Sequence, residues 1–102
     1  MVPASNFTFL SGAENLGSYT VTHETGLEFT YKFCKKCATK IYKINDEAFK
    51  GLYIVQAGTL DDGTGGMGLG DMKPEVELYV KYRVGWLEEM KGLVGLFMMR
   101  YV

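Results

Sequence analysis

A regular alternation of apolar and polar residues is the feature that most constrains how this chain can fold. The clearest run covers residues 27–33, where Leu, Phe, Tyr and Phe alternate with Glu, Thr and Lys. Successive side chains of a β-strand point to opposite faces, so this pattern predicts a strand with one buried face. Shorter alternating runs at Phe7–Phe9, Tyr19–Val21 and Val76–Tyr82 predict further strands, and the apolar run Leu52–Val55 predicts a strand buried on both faces. The sequence therefore predicts a mainly β fold built from antiparallel meanders.

Two stretches predict connections between these strands. His23–Gly26 lies between two alternating runs and is typical of a hairpin turn. Gly58–Gly70 is rich in Gly and Asp and predicts a loop.

The last part of the chain has a different period. Apolar side chains recur there at helical spacing: Trp86, Met90, Leu93 and Phe97. This stripe predicts one C-terminal helix. Gly92 and Gly95 each weaken a helix by about 1 kcal/mol relative to Ala, so a final strand is the alternative.

Length and charge exclude several classes of protein. The 102 residues fit one small domain, and 47% hydrophobic with 23% charged residues is the balance of a folded chain. A net charge of −1 gives no basic surface for capturing nucleic acid. No apolar run approaches the roughly 18 residues that a membrane span needs, and the first ten residues do not resemble a signal peptide. We therefore expect a cytoplasmic, reducing location and neither a nucleic-acid nor a membrane partner.

Cys34 and Cys37 form the most specific motif. They follow one predicted strand and precede another, Lys40–Ile44, so they occupy a hairpin tip. A turn of this kind brings two sulfurs to one metal ion, and Lys35 and Lys36 are expected to favour the thiolate form. In a reducing compartment a metal pair is favoured over a structural disulfide. Two alternatives stay open: a redox pair of the thioredoxin type, which would need a helix N-terminus, and two inert cysteines.

The number of available ligands limits the metal interpretation. Zinc takes four ligands in a tetrahedron, and the two sulfurs supply half of them. The chain has a single histidine, His23, which we expect to be an exposed turn residue, and it has no third cysteine. Glu24 and Asp46 are available carboxylates, but nothing in their spacing predicts a site. The metal interpretation therefore requires ligands from a second chain or from residues beyond this sequence.

The order of the motifs along the chain resembles the glutathione-dependent formaldehyde-activating enzyme family, also called the centromere protein V-like domain. The resemblance covers nearly the whole chain, residues 1–102, and its segments are specific in combination. The segments that carry it are Phe7-Thr8-Phe9-Leu10-Ser11-Gly12, Tyr19, Phe33-Cys34-x-x-Cys37, Gln56-Ala57-Gly58-Thr59-Leu60-Asp61-Asp62, Pro74, Glu77-Leu78-Tyr79 and Arg83-Val84-x-Trp86.

This resemblance implies a zinc-dependent, antiparallel β fold of the Mss4-like kind. It implies carbon–sulfur lyase activity on the adduct of glutathione and formaldehyde, with two zinc ions. In the family a structural zinc is held by an N-terminal Cys-x-Cys and the later Cys-x-x-Cys, and a catalytic zinc by a cysteine cluster between them. Only the later pair carries over, as metal ligands Cys34 and Cys37; no catalytic or cofactor-binding residue does. Ala38 stands where the family usually has glycine, and it would be strained if that position needs a positive φ.

These implications lead to four expectations. We expect the chain to be the C-terminal portion of such a domain, truncated at its N-terminus, and to have no lyase activity alone. A second hypothesis is a non-enzymatic module, a homo-dimer that shares zinc between two Cys34–Cys37 pairs. A third is that the true start of the protein lies upstream. In addition, strands that pair with residues 27–33 are expected to be missing, which would leave exposed edges prone to association.

Overall fold

Five strands form one antiparallel sheet in the computed structural model, which describes residues 1–61, 73–92 and, for the backbone, 94–96. The strands are β1 (Val2–Pro3), β2 (Leu16–Thr22), β3 (Glu28–Cys34), β4 (Lys40–Ile44) and β5 (Leu52–Val55). Their spatial order is β1-β5-β4-β3-β2. The prediction of a mainly β fold is confirmed.

The centre of the sheet is a β2–β3–β4 meander. β2 pairs with β3 from Leu16 opposite Cys34 to Thr22 opposite Glu28, and the predicted hairpin turn lies between them. β4 pairs with the other edge of β3, with a bulge between Lys32 and Phe33. β3 is therefore a central strand with neighbours on both sides, and the expectation that its partners are missing was wrong.

The core is small and aromatic. Phe29 is fully buried and Tyr42 is 3% exposed, and they are the only buried large apolar side chains among the described residues. Tyr42 stacks on Tyr53 at 4.4 Å between ring centroids and contacts Phe7 at 5.0 Å. Phe7 also packs edge-on against Phe9, but neither residue lies in a strand. The strand predicted there was wrong: the alternation marks rings that pack on the sheet, without backbone pairing.

One buried amide ties the end of β4 to the start of β3. Asn45 is 5% exposed, and its Nδ2 donates to the Glu28 carbonyl at 2.8 Å. Its Oδ1 accepts from the backbone N–H groups of Glu47 and Ala48. Every hydrogen-bonding group of this side chain except one N–H is thus accounted for, which is what burial of an amide requires.

Leu52–Val55 is a strand as predicted, but all its residues are half-buried, so the expectation of burial on both faces was wrong. The glycine-rich stretch starts with a 3-10 turn at Ala57–Thr59, and its residues beyond Asp61 lie outside the described part of the chain.

The C-terminal part forms a separate two-stranded parallel sheet from β6 (Val76–Leu78) and β7 (Val94–Leu96). β6 is shorter than the predicted Val76–Tyr82 because Tyr79 has φ 58°, a left-handed conformation that ends a strand. A 3-10 turn, Val80–Tyr82, follows it.

The predicted C-terminal helix was wrong, and its alternative, a final strand, is what the structure contains. Residues 86–92 form turns and bends, and β7 follows them. Leu93 and Phe97 of the apolar stripe lie outside the described residues. In the part of the chain that the structure describes, no helix is long and apolar enough to span a bilayer.

Candidate metal-binding turn

The connection between β3 and β4 holds the two cysteines at the tip of a closed hairpin, as predicted. The Cys34 N–H donates to the Thr39 carbonyl at 2.9 Å, and the Ala38 N–H donates to the Cys34 carbonyl at 2.7 Å. The Lys35 N–H donates to the Asn15 carbonyl at 2.8 Å, which joins the turn to the start of β2. These three bonds fix the backbone that carries both thiols.

Ala38 closes this turn in a left-handed conformation, with φ 63°. For a residue with a Cβ this conformation costs about 1–2 kcal/mol, because the Cβ approaches the following carbonyl oxygen. The predicted strain is therefore confirmed at this position.

The two thiols differ in exposure and hydrogen bonding. Cys34 is half-buried, Cys37 is exposed, and neither is in a disulfide. The Cys37 Sγ lies 3.1 Å from the Thr39 hydroxyl oxygen. Hydrogen bonds from the Thr39 side chain, its backbone amide and Cys34 lower the pKa of the Cys37 thiol. Thiolates are the metal-binding form of cysteine, so the turn favours the ligand state of one sulfur.

This result corrects the part expected of two lysines. Lys35 and Lys36 are exposed, and the pKa of Cys37 is lowered by hydrogen bonds from Thr39 and Cys34 rather than by their charges. The sequence signal that would have pointed to Thr39 is a hydroxyl two residues after the second cysteine.

The other residues considered as ligands lie at the far end of the sheet. His23 and Glu24 belong to the turn before β3, and Asp46 follows β4 next to the start of β3. The length of β3, roughly 20 Å, separates them from the cysteines. Among the described residues, no group of three or more His, Cys, Asp or Glu side chains lies within reach of one ion. By their donor chemistry and shared turn the two sulfurs fit one half of a tetrahedral zinc site.

His23 is a packing residue rather than a ligand. Its ring lies edge-on to Phe29 at 4.6 Å between centroids, so it is half-buried rather than exposed as expected. Burial and the charge of Lys43 lower the pKa of the His23 imidazole. It is therefore neutral at pH 7.

A small groove opens beside the half-buried cysteine, and sequence reasoning did not find it. Its volume is about 230 Å³. Its lining comes from the strand start, the β4 side chain Ile41 and the preceding loop: Phe9, Ser11, Gly12, Asn15, Leu16, Cys34 and Ile41. The groove gives Cys34 an apolar, partly enclosed neighbourhood on one side of the turn.

A family model described as "Glutathione-dependent formaldehyde-activating enzyme" matches residues 1–82. That match includes the whole five-stranded sheet and the cysteine turn. No curated protein and no solved structure matches the chain significantly.

Proposed function

This chain belongs to the glutathione-dependent formaldehyde-activating enzyme family, and we propose that its Cys34–Cys37 turn supplies two of the four ligands of a structural zinc ion. One observation carries this proposal: two thiols lie on a single turn, closed by the 2.7 Å bond from the Ala38 N–H to the Cys34 carbonyl. A hairpin tip with two cysteines separated by two residues matches the ligand arrangement of structural zinc sites.

When bound, zinc would link this turn to the other ligands and contribute its binding energy to folding. The chain's own residues prepare the turn for that task. The Thr39 hydroxyl stabilises the Cys37 thiolate, and the bond from Lys35 N–H to the Asn15 carbonyl fixes the turn against the start of β2. Metal binding releases thiol protons, so a lowered pKa raises affinity at neutral pH.

The second pair of ligands must come from outside these 102 residues or from a second copy, because the chain contains no third cysteine. The alternative function is therefore a non-enzymatic homo-dimer in which two Cys34–Cys37 pairs complete one tetrahedron. The exposed position of Cys37 at the hairpin tip favours this alternative, since a second copy can approach the sulfur directly.

The family activity is carbon–sulfur lyase chemistry on the glutathione–formaldehyde adduct, and we propose that these 102 residues alone do not perform it. The reason is a count of residues: the catalytic zinc of the family needs cysteines beyond Cys34 and Cys37, and this sequence has none. A turnover assay with the purified, zinc-loaded chain tests this directly. Turnover of the adduct well above a protein-free blank would overturn it.

Zinc analysis of the purified chain tests the structural site. We expect zinc in the wild type and in Lys36→Ser, which changes the same turn but keeps both sulfurs, and its loss in Cys34→Ser. One ion per two chains supports the shared site, and one ion per chain supports ligands from elsewhere. Equal zinc content in Cys34→Ser and wild type would refute the site.

A further inference from the structure

The two edges of the main sheet are built differently. β1, at one edge, is two residues long and contains Pro3, which cannot donate to a further strand. β2, at the other edge, is seven residues long, and among the described residues no strand pairs with its outer side. The β2 edge is therefore a long row of backbone groups without a neighbouring strand.

The hydrogen bonds at both ends of β2 show which of its residues face outward. The His23 N–H donates to the Leu27 carbonyl, and the Lys35 N–H donates to the Asn15 carbonyl. Pairing alternates along an antiparallel ladder, so the odd-numbered residues of β2 direct their N–H and C=O groups to β3. The even-numbered residues direct theirs away from the sheet: Leu16, Ser18, Thr20 and Thr22.

This outer row lacks the features that normally prevent pairing. Residues 16–22 include no charged residue and no proline, and β2 pairs with β3 without a bulge. Tyr19 and Val21 on the same strand are 39% and 40% exposed. An uncharged, regular strand can meet an identical strand without repulsion.

We propose that two copies of this chain pair through β2, antiparallel, across a two-fold axis at Tyr19. Ser18 then lies opposite Thr20 of the partner subunit, and Leu16 lies opposite Thr22 of the partner subunit. Every outward group finds a partner, giving about eight hydrogen bonds in a continuous sheet. A two-fold interface requires this self-complementarity, and a strand whose outward residues lie symmetrically about its middle residue meets the requirement.

This dimer is distinct from one that shares zinc. Cys34 lies opposite Leu16, at one end of β2. Antiparallel pairing places the partner's Cys34 at the other end of the strand, roughly 20 Å away along the sheet. The two cysteine pairs cannot reach one ion in this arrangement, so the edge dimer must survive removal of metal.

Sedimentation of the full chain with and without a chelator tests the proposal, together with Ser18→Pro and its matched control Ser18→Ala. Both variants lose the hydroxyl, but only proline loses the outward N–H, which β3 does not use. We expect a dimer that resists chelator and is kept in Ser18→Ala. In Ser18→Pro we expect about thirtyfold weaker association from two lost hydrogen bonds. A monomer at every concentration, a dimer dissolved by chelator, or equal association in both variants would overturn the proposal.

Amide hydrogen exchange on the unmodified chain keeps the proposal testable if Ser18→Pro does not fold. The Ser18 and Thr20 amides should become protected as protein concentration rises, while the Tyr19 amide, already bonded to β3, should change little. Dimerisation without protection at Ser18 and Thr20 would place the interface elsewhere and refute the β2 edge.

Discussion

The central strand β3 ends in a tight turn on either side, and the two turns differ at one residue. In the β2–β3 turn, Gly26 has φ 85° and donates to the His23 carbonyl at 2.9 Å. In the β3–β4 turn, Ala38 has φ 63° and donates to the Cys34 carbonyl at 2.7 Å. Both turns need a left-handed residue, and only the first uses the residue that adopts it without strain. Backbone strain in this sheet is thus placed at the cysteines, where strain commonly marks a functional site.

The two turns also differ in what supports them. The Lys81 ammonium lies 2.8 Å from the Glu24 carboxylate, which ties the first turn to the C-terminal segment. At the cysteine turn no ion pair is present among the described residues; its contacts are backbone bonds and the hydrogen bond between Thr39 and Cys37. We infer that the first turn is stabilised by the protein itself and that the second relies on metal.

Zinc removal is expected to have the largest effect on this contrast. At a zinc concentration about a hundredfold above the dissociation constant, binding adds about 2.7 kcal/mol to the free energy of unfolding. Chelator should remove that amount from the wild type, measured by thermal unfolding, and should leave Cys34→Ser unchanged.

The same measurement can contradict the contrast. Amide exchange should increase on zinc removal in the turn around Cys37, while the amide of Gly26 stays as protected as before. Equal loosening of both turns would show that metal supports the whole sheet rather than the strained turn.

Gly26→Ala is expected to cost about 1–2 kcal/mol in unfolding free energy, because alanine must then adopt the left-handed conformation. No heavy atom lies within 4 Å of a Cβ built at Gly26, so the cost comes from the backbone alone. Urea unfolding measures it. Gly85→Ala is the matched control, since its surroundings are equally open and its φ is not positive, and it should change stability little. An equal loss in both variants would contradict the conformational explanation.

Ala38→Gly is the reverse change and should give a smaller effect of opposite sign. Relief of the left-handed strain is partly offset by the greater flexibility of glycine in the unfolded chain, which leaves a gain of about 0.5–1 kcal/mol. Urea unfolding of the metal-free chain measures it. Ala48→Gly, where φ is not positive, should lose stability instead. If Ala38→Gly also loses stability, the turn does not store strain.

Much of this contrast could be predicted from sequence because it depends on local patterns. Alternation identified β2 and β3 since burial on one face repeats every second residue. The spacing of Cys34 and Cys37 after a strand placed them on a turn, and the alanine at position 38 predicted the strain found there. These inferences need no knowledge of distant contacts.

The failures concern contacts between residues far apart in the chain. The apolar stripe beginning at Trp86 fits a helix, but Val94–Leu96 instead pairs with Val76–Leu78, an interaction that spacing cannot show. Phe7 and Phe9 alternate as a strand would, yet their rings pack on the sheet without backbone pairing. The role of Thr39 depends on the geometry of the turn, which two cysteines in sequence do not specify.

The smallest predicted effect concerns the ion pair that supports the first turn. Hydrogen bonds from Lys81 and then Tyr82 lower the pKa of the Glu24 carboxyl below its ordinary value of 4.5. A group with a lowered folded pKa adds stability above its unfolded pKa, and loses that contribution as pH falls through the folded pKa. Lys81→Met should therefore raise the pKa of Glu24, measured by NMR titration of its carboxyl carbon. The variant should be slightly less stable than wild type near pH 7, with the difference fading below about pH 4.5.

Lys50→Met provides the control, because Lys50 is an exposed lysine on the connection between β4 and β5. It removes the same charge from the chain without touching Glu24, so the Glu24 titration should keep its wild-type midpoint. An ion pair with side chains 21% and 39% exposed is screened by salt, so the Lys81→Met difference should also shrink as ionic strength rises. If both lysine variants shift Glu24 equally, net charge sets its pKa. The first turn would then have no specific support from the C-terminal segment, and glycine alone would distinguish it from the cysteine turn.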